Sequence, residues 1–131
     1  MIQSAQAQIP QNAGPIGLKT AITIMDKWGC SPEQEWSILG MKKSSYYKNR
    51  EDSTSARVSN DQLERISYIL NMHAALRVIF DNPENLYGFV SMKNNNPYFN
   101  GASPLDIIAG GSFGALYETF KRIDAMRGAG L

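Results

Sequence analysis

The chain has 131 residues, 43% of them hydrophobic and 19% charged, with a formal net charge of +1. That length accommodates one domain, or a small domain with an appended subdomain, and so small a net charge excludes a strongly basic or acidic protein and carries no message about partners. A single cysteine, Cys30, excludes an internal disulfide framework and suits a reducing compartment.

The start of the chain lacks the basic and apolar regions of a signal peptide, and no apolar run approaches a membrane span. A cytoplasmic protein is expected. Residues 1–17 are rich in Gln, Asn, Ala and Gly, with only Ile2, Ile9 and Ile16 as apolar anchors, and read as a flexible arm. From Leu18 the pattern turns helical: Leu18, Ala21, Ile22, Met25 and Trp28 follow three- and four-residue spacing up to a stop at Gly29. Ser31-Pro32-Glu33-Gln34 then supplies a cap, a first-position proline and a capping-box glutamine. The helix it opens turns Trp36 and Leu39 inward and ends at Gly40, with Met41 as a buried plug. A further short helix over residues 43–49 is anchored by Tyr46.

Lys42, Lys43, Lys48 and Arg50 fall in this segment with no acid among them. Two short helices around a glycine turn, the second bearing bases and hydroxyls, make the helix-turn-helix pattern. The second helix would enter the major groove, whose base edges and phosphates demand the donors that these side chains carry. Lys42, Lys48 and Arg50 are assigned to phosphates; Ser44, Ser45 and Tyr47 sit where base edges could be read, beside Lys43. One copy covers few phosphates, so useful affinity calls for a dimer.

After a polar loop over residues 51–55, Ser59 and Gln62 open the longest helix, predicted over residues 60–80. Its apolar band is wide, and residues 72–80 are offered as a candidate interface. Asn82-Pro83 restarts a helix with Leu86, Phe89 and Val90, and Asn94-Asn95-Asn96-Pro97 breaks it. Ser103, Pro104 and Asp106 form another helix start, Gly110-Gly111 a stop. A last helix from near Ser112 places Phe113, Leu116, Phe120 and Ile123 on one face. With no strand of useful length, the fold class is all-α. The expected division is an arm over residues 1–17, a helix-turn-helix domain over 18–58 and a dimerisation and partner-binding domain over 59–131.

Catalytic chemistry is sparse. His73, the single histidine, lies between Leu70 and Leu76 and reads as a packed side chain. Cys30 stands near a helix start, where a thiol pKa can fall, but one His and one Cys cannot make a Cys/His zinc site. Gly110-Gly111-Ser112-Phe113-Gly114 superficially resembles an anion-binding loop, without the Gly-Lys-Ser/Thr element or a preceding strand. No catalytic residue, metal ligand or cofactor is assigned.

Gln62-Leu63-Glu64-Arg65-Ile66, the run from Asn96-Pro97-Tyr98-Phe99 to Pro104-Leu105-Asp106, and Leu116 with Phe120-Lys121-Arg122-Ile123 carry a family resemblance. They resemble the C-terminal toxin-binding domain of the Xre/MbcA/ParS-type antitoxins, and residues 18–49 resemble the Xre-like helix-turn-helix that precedes it there. Phe89 stands where that family commonly has a tryptophan. The resemblance implies a non-enzymatic type II antitoxin that binds and occludes a RES-type toxin, which consumes NAD or transfers ADP-ribose. It also implies repression of its own operon, as a homodimer within a hetero-oligomeric complex. It assigns toxin contact to Asn100, Gly101, Ser103, Pro104, Gly110, Gly111 and the tail of Arg127, Gly128, Ala129, Gly130 and Leu131. Tyr98 is added at the rim, while Phe99 and Phe113 are given to the core. The alternative is a stand-alone helix-turn-helix DNA-binding regulator without a toxin partner.

Overall fold

The computed structural model describes residues 13–128, and every regular element among them is helical. The order is α1 (Gly14–Lys27), α2 (Pro32–Leu39), α3 (Lys43–Glu51), a 3-10 turn (Ser53–Ser55), α4 (Asn60–Ile79), α5 (Pro83–Gly88), a second 3-10 turn (Phe89–Ser91), α6 (Pro104–Ile108) and α7 (Phe113–Gly128). The expected arm over residues 1–17 therefore ends sooner than its composition indicates. Helix α1 begins at Gly14, not Leu18, and Gly14 and Gly17 are buried in it. At Gly14 a Cβ would stand 3.3 Å from the Val58 side chain. This glycine allows close packing between α1 and the lead into α4. Residues 1–12 and 129–131 lie outside the described part.

Local capping chemistry sets most helix starts. Ser31, Ser59 and Ser103 each accept a bond from the backbone amide three residues on. Gln34, Gln62 and Asp106 reach back to the corresponding cap amides. Each such cap contributes on the order of 1 kcal/mol. Helix α2 closes at Gly40 in the left-handed conformation, and the Met41 amide then donates to Trp36 O at 2.9 Å. That turn buries Met41 as expected.

Helix α4 is the centre of the molecule, packed on one side by α1 and on another by α7. Ile66, Ile69, Met72 and Leu76 on α4 join Leu18 and Met25 of α1 and Leu116 and Ile123 of α7 in one buried cluster. The core thus runs without a break across the expected boundary at residues 58 and 59.

This geometry uses part of the apolar band over residues 72–80, the candidate interface, inside the chain. Met72, Ala75 and Leu76 are buried within the chain itself, and Ile79 and Phe80 are less than fully buried. Val78 is the one large hydrophobic side chain of that run that is mostly exposed, at 65%. A helix covered on two faces needs a wide apolar band, so its width signals no surplus for a partner.

Candidate nucleic-acid interface

Helices α2 and α3 are held together by an aromatic and ionic wedge. Tyr46 is fully buried, packs edge-on against Trp36 (centroids 5.8 Å apart) and donates its hydroxyl to Glu35 Oε1 at 2.5 Å. Arg50, one turn further along α3, donates two bonds to Asp26 of α1, at 2.8 and 3.1 Å, and one to Glu35 at 3.2 Å. One guanidinium therefore ties all three N-terminal helices together through two carboxylates.

With its inner face so anchored, α3 turns Lys43, Ser44, Ser45, Tyr47 and Lys48 to solvent, and Lys42 is exposed at its cap. The exposed Tyr47 ring leans on Tyr46 and Trp36, at 5.2 and 5.9 Å, and Lys43 Nζ lies 6.0 Å from the Trp36 ring centroid. The structure thus brings six of the seven side chains assigned to DNA onto one exposed element. Arg50 is exposed on α3 as well but differs from the others: its charge is already matched by Asp26 and Glu35, so it holds α3 in place. The two acids escape a reading of the sequence because they lie 24 and 15 residues away from Arg50.

The cluster carries one carboxylate more than it has cations, and Glu35 Oε2 is buried without a hydrogen-bond partner among the described residues. Burial, then the neighbouring Asp26, pushes the Glu35 carboxyl up to about 8, against the pull of Tyr46 and Arg50. Burial raises Asp26 most, but hydrogen bonding with Arg50 and Glu35 and the Arg50 charge together outweigh it and leave the carboxyl below the ordinary aspartate range. Cys30 sits close enough to feel both acids. Burial first, then Glu35 and Asp26, pushes its thiol up to about 12, the opposite of the activation that a helix start could have supplied.

The sign of the pH effect follows. A carboxyl whose folded pKa is raised binds its proton more tightly in the native state than in the unfolded chain. The Glu35 contribution is complete below its ordinary value of 4.5 and is lost as pH rises towards about 8. Asp26 acts oppositely, contributing above its ordinary 3.8 and losing that contribution on acidification below it. The thermal midpoint is expected to fall by roughly 5 °C between about pH 6 and about pH 9, the size of a loss near 1 kcal/mol. Glu35→Gln should flatten this alkaline slope. Parallel slopes for the two proteins in a pH series of melting curves would exclude Glu35 as its source.

The model of the antitoxin Xre-like helix-turn-helix domain matches residues 7–71, from before α1 into the middle of α4. An uncharacterised protein, y4oB of Sinorhizobium fredii (strain NBRC 101917 / NGR234), is 30% identical over 115 residues, spanning 87% of this chain and 86% of that protein. The chain belongs to the family of proteins with an Xre-like antitoxin helix-turn-helix domain.

In this Xre-like protein the residues expected to meet a toxin divide into two groups. Tyr98 is half-buried, with the Arg122 guanidinium 5.0 Å from its ring centroid. Asn100 is exposed and Gly101 half-exposed, both in left-handed backbone, in a loop closed by Asn94 N to Ala102 O at 3.1 Å and Gly101 N to Asn94 O at 2.8 Å. Gly110 is exposed. These can touch a partner.

Ser103 and Pro104 cannot, which corrects their assignment. Ser103 is 4% exposed and its hydroxyl is committed to capping α6, while Pro104 is buried in the first turn of that helix. Gly111 is pressed onto Ser37 of α2. Arg127 pairs with Asp124 at 2.8 Å, Gly128 is exposed at the end of α7, and Ala129, Gly130 and Leu131 lie outside the described residues. Phe99 is buried as expected, whereas Phe113 is half-buried, edge-on to Tyr68 and beneath the Arg65 guanidinium.

His73 is half-buried and stacked on Tyr87 at 5.7 Å. Burial, then Arg77 and Lys27, lowers its proton affinity. Among the described residues no group of three His, Cys, Asp or Glu side chains could hold a metal ion. No described helix is long and apolar enough to cross a membrane.

Proposed function

We propose that this chain is a type II antitoxin with two working surfaces: α3 for operator DNA, and the loop around Tyr98 to Gly101 for a toxin. The observation that carries the first is α3 itself, locked by Tyr46 and Arg50 on its inner side while Lys43, Ser44, Ser45, Tyr47 and Lys48 face solvent. A rigid helix presenting cations and hydroxyls is what groove reading requires. Two copies would bring enough cations together for useful affinity, so the operator-bound form is a homodimer. The toxin is of the RES type, an enzyme that consumes NAD or transfers ADP-ribose, and the antitoxin blocks its active site. This second half rests on the family resemblance and on exposed Asn100 and Gly110, half-exposed Tyr98 and Gly101, and the chain beyond Arg127. Bound together, the pair represses its own operon.

The test combines a salt series with co-purification. Lys43→Ala with Lys48→Ala should weaken binding to the DNA upstream of the gene and lower the log–log salt slope by about 1 for each phosphate no longer neutralised. An unchanged isotherm would remove α3 from the DNA surface. The product of the adjacent reading frame should co-purify with the chain and lose its activity in the complex. Its failure to associate, with DNA binding intact, would leave a regulator without a toxin partner.

A further inference from the structure

Beside α3 lies a notch of about 190 Å³ between that helix and the lead into α4, lined by Ser45, Lys48, Asn49, Ser55, Arg57 and Gln62 over the Met41 thioether. We propose that this notch seats a backbone phosphate of DNA, with Arg57 and Lys48 as its two cations and Ser45 and Ser55 as hydroxyl donors. It deepens the DNA half of the proposed function and rests on that half.

Charge argues for an anion. Two cations from different elements line the notch and no acid does. Lys48 and Arg57 are exposed, and neither forms an ion pair among the described residues. The neighbouring cleft of about 340 Å³ is the contrast: Asp26, Glu51 and Asp52 offset its Lys19 and Arg50. A phosphate would find no such favourable field there.

A second observation is independent of charge. Asn49 is 8% exposed, and its side-chain NH2 group meets Met41 Sδ at 3.9 Å. Sulfur is a weak acceptor, and a buried amide donor left with so poor a partner costs free energy. An anionic oxygen entering the notch would give this donor a better acceptor. Gln62 is already engaged at both ends, its Oε1 accepting from the Ser59 amide and its Nε2 donating to Gly40 O at 3.2 Å. The notch also opens at the first turn of α4, a helix of twenty residues whose dipole adds positive potential there.

Position then selects the source of the phosphate. Ser45 and Lys48 belong both to the notch and to the exposed face of α3. A duplex lying against that face carries phosphates past the notch, so a backbone phosphodiester is the fitting occupant. Arg57 and Ser55 thereby join the DNA surface from outside the two helices of the motif.

The experiment measures the full-length chain and its Arg57→Gln variant on two duplexes, the DNA upstream of the gene and one of unrelated sequence, across a salt series. A phosphate contact carries no base information, so affinity should drop by a similar factor, roughly five- to tenfold, on both. The salt slope should fall by about 1 for each copy bound. Arg57→Lys should recover part of the affinity, and melting temperature should stay unchanged because Arg57 is exposed and outside the core. Undiminished binding by Arg57→Gln, with Lys43→Ala still impaired, would overturn the notch and leave α3 reading intact. Absence of binding by the native chain to either duplex at low salt would overturn both. Inorganic phosphate is the remaining arm. A thermal upshift with phosphate that Arg57→Gln abolishes, alongside equal DNA binding, would make this a small-anion site and refute the DNA assignment.

Discussion

Arg65→Ala is expected to destabilise the protein by about 3 kcal/mol, the scale seen when a buried charged group with several partners is removed. Arg65 is mostly buried on α4 and joins three parts of the molecule. Its Nε donates to Asp61 at 2.9 Å, its Nη1 to Ile38 O at 3.2 Å and to Gly111 O at 3.0 Å. Its guanidinium also lies 5.5 Å from the Phe113 ring centroid. Truncation leaves a carbonyl near the end of α2 and one in the turn before α7 without this donor while also opening a void. Arg65→Lys should be intermediate, since an ammonium keeps the charge but lacks the planar fork. Denaturant melts would measure both, and their form matters as much as the midpoint. Because the core is continuous, unfolding should remain a single transition. Separate transitions for the two halves would refute Arg65 as the link that makes them one cooperative unit.

Gly111→Ala should cost about 2–4 kcal/mol, from left-handed backbone and steric conflict together. Gly111 has φ +87°, and a Cβ there would stand 2.7 Å from Ser37 Oγ and 3.2 Å from Ser37 O. The hydroxyl cannot swing aside freely because it donates to Ala109 O at 2.8 Å. The Ser37 carbonyl belongs to the helical backbone and has still less freedom. Adding Ser37→Ala should recover only part of the stability, and a double-mutant cycle measures that part. Gly110→Ala is the control: its nearest new neighbour would be Ile107 O at 3.8 Å, so stability should barely change. A Gly111→Ala protein as stable as the native one would mean that α6 and α7 are not held against α2 as described.

The contrast between those neighbouring glycines shows where sequence reading stops. As a doublet they read as a helix stop and a candidate toxin contact, and neither reading distinguishes one glycine from the other. Only the approach of α2 separates a glycine pressed into the fold from one facing solvent. Arg50 and Ser103 follow the same pattern. Arg50 shares a basic run with Lys48, yet Asp26 and Glu35 claim its charge. Ser103 is the cap that its sequence context predicts, and its commitment to that cap removes it from any partner surface.

The amino-acid sequence by itself determined the helix starts at Ser31, Ser59 and Ser103, the stop at Gly40, and the outward face of α3. Those features depend on bonds and spacings within a few residues, which the order of side chains displays directly. Only the tertiary structure decided that Arg65 joins both halves, that the broad band on α4 is consumed internally, and that Arg57 stands across a notch from Lys48. Such outcomes depend on contacts between residues far apart in the chain, whose distances become defined when the helices pack.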